Sequence, residues 1–273
     1  VRRQRQMCIR DSVICVASAG SCHMEFTRDL HRCAPKGDTA LTVRAHALAG
    51  GHSGEVINEG RGNAIKAVAD VLYRLSEGGV EYALADYKGG VAANAIPSDA
   101  SAVVVVAAKD VDRVKATVAA AEKDFNLVYG ETDPNAVFEV TPAALPKSVL
   151  SAEDTTSIVD VINLLHCGVF AMDRRLPRLP ALSASLGTIE TREDVLAFQY
   201  FPRSSSDARL QALVRVMPIM AKCTGTKVHI EKPFPAWTES KNSKLQALMA
   251  DAYKDVMGKE PRMEAMHLSL IHI

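Results

Sequence analysis

The sequence has no excess of charge of either sign, since 32 lysines and arginines balance 32 aspartates and glutamates among its 273 residues. A protein without net positive charge has no general electrostatic attraction for nucleic acid or an anionic membrane surface. It also contains no run of about 18 apolar residues, the length that a membrane-spanning helix needs. We therefore predict that neither nucleic acid nor a membrane is a partner of this chain.

Aromatic residues are scarce too, at 5% of the chain, although 48% of all residues are hydrophobic. Such a composition is typical of a globular protein. A chain of this length is sufficient for one large domain or two ordinary ones, each with a substantial core.

The six cysteines include no Cys-x-x-Cys pair. Three of them lie close in sequence to two histidines: Cys15, Cys22, His23, His31 and Cys33. This group raises a metal site as an alternative, but its spacing matches no common zinc site, so we favour structural roles. Cys167 and Cys223 lie in apolar surroundings and are predicted to be buried thiols in a reducing cytoplasm.

The first half of the chain shows alternating strand and helix periodicities. They predict, in order, a strand at 40–48, a helix at 60–77, strands at 81–88 and 102–108, a helix at 110–125 and a strand at 136–140. This β-α-β-β-α-β order is typical of a ferredoxin-like sandwich.

The second half has a similar pattern. It predicts a helix at 151–166 with Ser151 as its N-cap, strands at 181–191 and 195–201, a helix at 205–224 and a strand at 227–231. Two strands are also predicted within 13–30, and an amphipathic helix at 241–257. We predict an α+β fold in which two tandem ferredoxin-like halves share one continuous sheet with helices on one face.

A glycine-rich corner joins the first strand to the first helix. Residues 50–54 read GGHSG and residues 60–64 read GRGNA. The glycines let the backbone turn sharply and leave the His52 imidazole unshielded, where it can donate or accept a hydrogen bond near neutral pH. On composition alone, a plain turn with an incidental histidine is an equally good interpretation.

These two motifs at this spacing closely resemble the signature of the aminoacyl-histidine dipeptidases, which are carnosinase-like, zinc-dependent bacterial metallopeptidases. Further stretches match in the same order across residues 13–267. The resemblance implies a lid domain inserted into an α/β catalytic domain that binds two zinc ions. The implied division is 1–12 and 268–273 as non-native ends, 13–38 and 233–267 as pieces of the catalytic domain, and 39–232 as the lid.

The resemblance also implies roles for four residues. His52 would donate a hydrogen bond to the oxyanion, and Asn94 would contact the substrate backbone. Arg203 would bind the free carboxylate of a dipeptide, and His267 would contact substrate. The residues alone leave other interpretations open, because Asn94 precedes a proline turn and Arg203 could be a solvated residue at a strand end. Gly187 departs from the family, which often has asparagine there.

The metal ligands and the general base of the family have no counterpart in this chain. We therefore assign no metal ligand here and predict that the chain alone is inactive. The implied activity of the intact enzyme is hydrolysis of Xaa-His or other dipeptides by zinc-activated water in the cytoplasm. The sequence does not decide whether the intact enzyme is a homodimer. The alternatives are the lid of a related zinc deacylase or carboxypeptidase, and a non-catalytic ferredoxin-like dimerisation or binding module.

Overall fold

The computed structural model describes residues 13–174, 179–237 and 243–267, so the predicted non-native ends, 1–12 and 268–273, lie outside the described residues. Within these ranges the strands are β1 Val13–Ser18, β2 Gly20–Ser21, β3 Met24–Asp29, β4 Arg32–Cys33, β5 Thr39–His46, β6 Gly51–His52, β7 Tyr82–Gly89, β8 Ala95–Ile96, β9 Ala100–Val106, β10 Val137–Pro142, β11 Val149–Leu150, β12 Gly168–Met172, β13 Pro180–Thr191, β14 Val195–Ser204, β15 Lys227–Ile230 and β16 Arg262–Met266. The helices are α1 Ala64–Glu77, α2 Val111–Tyr129, α3 Ala152–Leu164, α4 Asp207–Cys223 and α5 Lys244–Met257. None of these helices is long and apolar enough to cross a lipid bilayer.

The fold is mixed α/β and is built on one large antiparallel sheet of ten strands. Its main path runs β10-β5-β9-β7-β13-β14-β3-β15, with β12 added on β13 and β2 on β14. Strands β5, β7, β9 and β10 form one end of this path, and they join the rest of the sheet between β7 and β13, where Gly89 pairs with Ile189 and Lys88 with Glu190. Three small two-stranded sheets, β1–β16, β4–β11 and β6–β8, complete the strand pairing among the described residues.

The position of β3 does not follow the order of the sequence. Although it precedes β5, it lies between β14 and β15, and Phe26 pairs with both Phe198 and Val228. The rings of Phe26 and Phe198 stack with their centroids 5.0 Å apart. The segment 13–38, which we predicted to belong to the catalytic domain, thus contributes a strand to the same sheet as the predicted lid.

Alternate strand residues and four helices form one hydrophobic core. In β5 the buried residues of this core are Leu41, Val43 and Ala45, which lie on one face of the strand. Helices α1 to α4 all contribute buried side chains to the same core. In α1 an apolar stripe at helical spacing, including Ile65, faces the sheet and is inaccessible to solvent.

The elements predicted from periodicity are confirmed to within a few residues. The Ser151 hydroxyl accepts a hydrogen bond from the Asp154 N–H at 3.1 Å, which confirms the predicted N-cap of α3. Strand β12 was not predicted, because it lies at the edge of β13 and its residues show no regular alternation between buried and exposed positions.

The prediction that Cys223 is a buried thiol is wrong, since this residue is exposed. The buried residues of α4 are Leu210, Met217 and Ala221, and Cys223 follows Ala221 by two positions, which turns it towards the other side of the helix. Cys167 is half-buried, and burial of its thiol raises the pKa of that group. In the earlier cysteine group, the Cys22 thiol contacts the Glu231 carbonyl at 3.4 Å and His23 pairs with the Glu231 carboxylate at 2.7 Å.

A buried carboxylate ties α3 to β3. Asp154 is fully buried; Arg28 Nε donates to it at 2.8 Å and the His31 N–H donates to it at 2.6 Å. Burial alone would raise the pKa of Asp154, but the hydrogen bonds from His31 and Arg28 outweigh burial and lower the pKa below its ordinary value of 3.8.

This carboxylate is expected to make stability depend on pH. Because the pKa of Asp154 is lower in the folded than in the unfolded chain, the carboxylate stabilises the fold above pH 3.8, and this contribution is lost as the pH falls towards the folded pKa. Asp154→Asn should lower the free energy of unfolding at neutral pH by about 3 kcal/mol, because the buried Arg28 cation then keeps only the exposed Glu153 carboxylate as a charged partner.

Urea unfolding of both proteins at neutral pH and at about pH 2.5 checks this expectation, since the loss caused by Asp154→Asn should shrink at the lower pH. Asp29→Asn is the matched control, because Asp29 follows Arg28 at the end of β3 and forms an exposed ion pair with Lys227. Equal losses from Asp154→Asn at the two pH values would contradict the proposed linkage.

Candidate active site

The glycine-rich corner is a tight loop whose backbone requires glycine. Strand β6 pairs with β8, which places His52 opposite Ala95. Gly51 has a φ of 120°, and a Cβ at this position would lie 2.8 Å from side-chain atoms of both Arg61 and Val56. The Arg61 guanidinium donates to the Gly50 carbonyl at 2.5 Å and pairs with Glu59. These contacts leave no room for a side chain at residue 51.

The backbone around His52 selects one tautomer of its ring. The Gly54 N–H donates to His52 Nδ1 at 3.0 Å, so Nδ1 is an acceptor. In the neutral imidazole the proton must then be on Nε2, which makes Nε2 a hydrogen-bond donor. The residue is half-buried, so the ring is not enclosed by the core.

Asn94 contacts this histidine directly. Its side-chain amide lies 3.4 Å from His52 Nε2, and a protonated Nε2 favours the orientation in which the amide oxygen faces it. The backbone carbonyl oxygen of Asn94 accepts hydrogen bonds from the backbone N–H and the hydroxyl of Ser53, at 2.9 and 3.0 Å. Two predicted site residues are therefore held together by backbone contacts between their loops.

The loop that carries Asn94 lies directly on β13. A Cβ on Gly187 would be 2.3 Å from the Ala93 carbonyl oxygen, and one on Gly90 would collide with the Gly187 carbonyl. Because backbone meets backbone here, an asparagine at residue 187 would displace the Asn94 loop. The glycine at this position therefore fixes how close Asn94 lies to the sheet.

Arg203 is a buried cation on the neighbouring strand. It pairs with Ser183 across β13 and β14, is 3% exposed, and places its guanidinium 4.6 Å from the centre of the Phe201 ring. Its Nε is buried without a hydrogen-bond partner among the described residues. Burial lowers the pKa of Arg203 to about 10, so the group remains positively charged at neutral pH.

His267 lies beside this arginine. Its Nε2 is 2.7 Å from the Ser183 hydroxyl, and its buried Nδ1 has no hydrogen-bond partner within the described ranges. Burial, with a smaller effect of the Arg203 charge, lowers the pKa of His267 from 6.5 to about 3. The imidazole is therefore neutral at physiological pH.

The four predicted site residues thus form two pairs joined by β13. His52 contacts Asn94, and Arg203 is linked to His267 through Ser183. The first pair meets β13 at Gly187 and the second at Ser183, a separation of about 13 Å along a strand at about 3.3 Å per residue. The described residues offer no group of three or more His, Cys, Asp or Glu side chains that could hold a metal ion. The part of the chain that the structure describes therefore does not by itself fit a zinc centre.

The sequence alone did not identify three residues that contact the predicted site residues or their loops: Ser183, Phe201 and Asp133. Ser183 and Phe201 alternate with core residues in their strands, and that period of two was the available signal for them. Asp133, which accepts hydrogen bonds from the backbone on both sides of the His52 corner, lies in a turn before a proline and gave no signal.

Comparisons with known proteins show what this chain is similar to. Residues 45–133 match the family model described as peptidase dimerisation domain. The cytosol non-specific dipeptidase of Escherichia coli (strain K12) is 26% identical over 250 residues, which cover 90% of this chain and 51% of that protein.

The crystal structure of an aminoacylhistidine dipeptidase from Vibrio alginolyticus matches at a TM-score of 0.86 and 24% identity, covering 95% of this chain and 53% of that one. The structural match shows a shared fold, and the chain spans about half the length of both relatives. Residues 45–133 are thus similar to the peptidase dimerisation domain family, and the three comparisons together support the relationship of this chain to the aminoacyl-histidine dipeptidases.

Proposed function

We propose that this chain supplies the lid and the substrate-binding side chains of a zinc-dependent dipeptidase, and that it acts only together with the catalytic residues it lacks. The observation that carries the proposal is the arrangement around β13. A histidine with a donor Nε2 contacts an amide whose loop packs on Gly187 of β13, and four residues along the same strand Ser183 pairs with a buried arginine whose Nε lacks a partner among the described residues.

The lid in this proposal consists of two ferredoxin-like units joined edge to edge. The first unit contains β5, α1, β7, β9, α2 and β10, in the sheet order fourth-first-third-second. The second contains β3, α3, β13, β14, α4 and β15 and has the mirrored order second-third-first-fourth. Under this division β3 is the first strand of the second unit, so the lid includes residues 24–29 as well as 39–232.

Two parts outside that sheet support a missing catalytic half. Strands β1 and β16 form a parallel pair, and parallel sheets are normally larger and covered on both faces. Helix α5, which is described over its full length, has no buried residue and exposes Leu245, Leu248 and Met249. We propose that polypeptide corresponding to the unmatched half of the relatives covers these surfaces and holds the two zinc ions.

The residues of this chain would bind and polarise a short peptide. On substrate binding, His52 Nε2 exchanges its 3.4 Å contact with Asn94 for a hydrogen bond to the negative charge that develops on the scissile carbonyl oxygen, and the released Asn94 amide aligns the peptide backbone. Arg203 binds the terminal carboxylate, which satisfies its buried charge, and neutral His267 contacts the same end of the substrate. The stretch of β13 from Gly187 to Ser183, about 13 Å long, is sufficient for a two-residue peptide of about 7 Å between the two pairs.

The test uses the complete protein, meaning the product encoded when the DNA flanking this coding region is included. With Zn²⁺ it should hydrolyse Xaa-His or other dipeptides with a free C-terminal carboxylate, and the 273-residue chain alone should not. Faster hydrolysis of N-acyl amino acids than of dipeptides would favour the related deacylases or carboxypeptidases. A complete protein that cleaves none of these substrates would contradict the proposal.

A non-catalytic dimerisation or binding module is the second candidate, and the name of the matched domain family favours it. We propose that the complete protein forms a homodimer in the cytoplasm, where the name of the Escherichia coli relative places that protein. Native start and stop codons close to residues 13 and 267 would favour the module, whereas metal-ligand motifs in frame on both sides favour the enzyme.

A further inference from the structure

We propose that Asp133 is a positioning residue, which bridges the two ends of the loop carrying His52 and thereby fixes the orientation of that imidazole. The catalytic consequence rests on the function proposed above. The bridge itself is a property of this chain and can be measured without any activity.

The two carboxylate oxygens of Asp133 accept from opposite ends of the loop. Oδ1 accepts the Ala49 N–H at 2.7 Å, and Oδ2 accepts the Gly62 N–H at 2.8 Å. Residues 50–61, including His52, lie between these two amides. One side chain therefore sets the distance between the beginning and the end of the loop.

The bridge is buried and its acceptors are well occupied. Asp133 is 1% exposed, and Oδ2 also accepts the Thr132 hydroxyl at 3.0 Å. A buried carboxylate is tolerated when hydrogen-bond donors surround it, and its bonds are stronger than those between neutral groups. Its own backbone is held in a turn after α2, because its N–H donates to the Tyr129 carbonyl at 2.7 Å.

The chemistry requires a carboxylate rather than an amide. Two N–H donors need two acceptor atoms, and an ionised aspartate supplies both. An asparagine of nearly the same shape would accept from one amide only and would turn its own NH2 group towards the other. Asp133→Asn therefore opens one side of the bridge with little change in volume.

The orientation of His52 depends on the closed loop. Its Nδ1 accepts from the Gly54 N–H within the same loop, and this bond places the proton on Nε2. If the ends separate, the Gly54 amide no longer stays in line with the ring. Both tautomers then become populated, and the donor directed at the substrate is present for only part of the time.

The first measurement is made on the unchanged 273-residue chain by amide hydrogen exchange and NMR. The Ala49 amide should be as protected as amides in β9 even though Ala49 is exposed, and the Gly62 amide should be protected too. The nitrogen shifts of His52 should report mainly the Nε2–H tautomer. Unprotected Ala49 and Gly62 amides would overturn the proposal without any variant.

The second measurement compares Asp133→Asn with a control. We expect exchange at Ala49 and Gly62 to become about ten to a hundred times faster, with β9 unchanged and both His52 tautomers visible. Asp124→Asn is the matched control, since Asp124 lies on the surface of α2 and pairs with Arg74. If amide exchange and the His52 tautomer in Asp133→Asn were the same as in the unsubstituted chain, the proposal would be overturned. If Asp133→Asn does not fold, the measurement on the unsubstituted chain decides.

In the complete protein, Asp133→Asn should lower kcat about tenfold and leave KM nearly unchanged, because the lost orientation matters in the transition state. If the complete protein without any substitution were inactive, the proposed function would be contradicted, but the hydrogen-exchange result would still hold. Normal kcat in a variant whose loop amides exchange rapidly would overturn the positioning role alone.

Discussion

His52→Ala in the complete protein is expected to lower kcat by about a hundredfold to a thousandfold, as the loss of one oxyanion donor does. The Gly54 N–H holds Nδ1 as an acceptor and leaves the proton on Nε2, so the imidazole is prepared to donate before substrate binds. Under the proposed role, the negative charge that it would stabilise develops only in the transition state, and we therefore expect little change in KM.

The measurement is steady-state kinetics with a dipeptide substrate and saturating Zn²⁺. His46→Ala is the matched control, because His46 ends β5 close to the same corner and lies 3.4 Å from the surface carboxylate of Glu139. The control should retain its kcat. If His52→Ala retained kcat as well, the oxyanion role would be lost, and a change confined to KM would reassign His52 to substrate binding.

Arg203→Met is expected to raise KM for dipeptides by about tenfold to a hundredfold, because a charge-assisted contact with the substrate carboxylate is removed. Dipeptides with an amidated C-terminus should be affected much less, so the variant should lose its preference for the free acid. The exposed Arg209 on α4 provides the control, and Arg209→Met should change neither the KM for dipeptides nor the preference for the free acid.

A second readout separates substrate binding from a structural role. Arg203 Nε is buried without a partner in the described part of the chain, so its burial costs free energy in the absence of substrate. Replacing such a cation with an apolar side chain should leave the Tm unchanged or raise it. A lower Tm together with an unchanged KM would show that Arg203 only supports the strand.

Much of the fold could be predicted because its elements have strong local periodicity. The apolar stripe of α1 and the alternation in β5 each indicate both the type of element and its buried face. The position of β3 could not be predicted in this way, since its partners β14 and β15 are distant in sequence and no local pattern specifies them. The exposed position of Cys223 was missed because apolar neighbours in sequence do not determine which side of a helix a residue faces.

The site shows the same division between local and distant information. The glycine motif pointed to His52, and the structure adds its contact with Asn94. The ring tautomer depends on a single backbone N–H, and the loop depends on Asp133, which follows Gly62 at a distance of 71 residues. Hydrogen bonds of this kind leave no periodic trace in a sequence.

The location of β3 also has a consequence for synthesis on the ribosome. The nascent chain exposes β3 early, but this strand has to wait for β14 before its first edge is paired and for β15 before its second edge is paired. Strands β5, β7, β9 and β10 are synthesised well before β14, so the first ferredoxin-like unit can fold while translation continues. During that interval β3 has two unpaired edges and exposes the apolar side chains of Met24 and Phe26, so we expect it to be the segment that a chaperone would shield from other nascent chains.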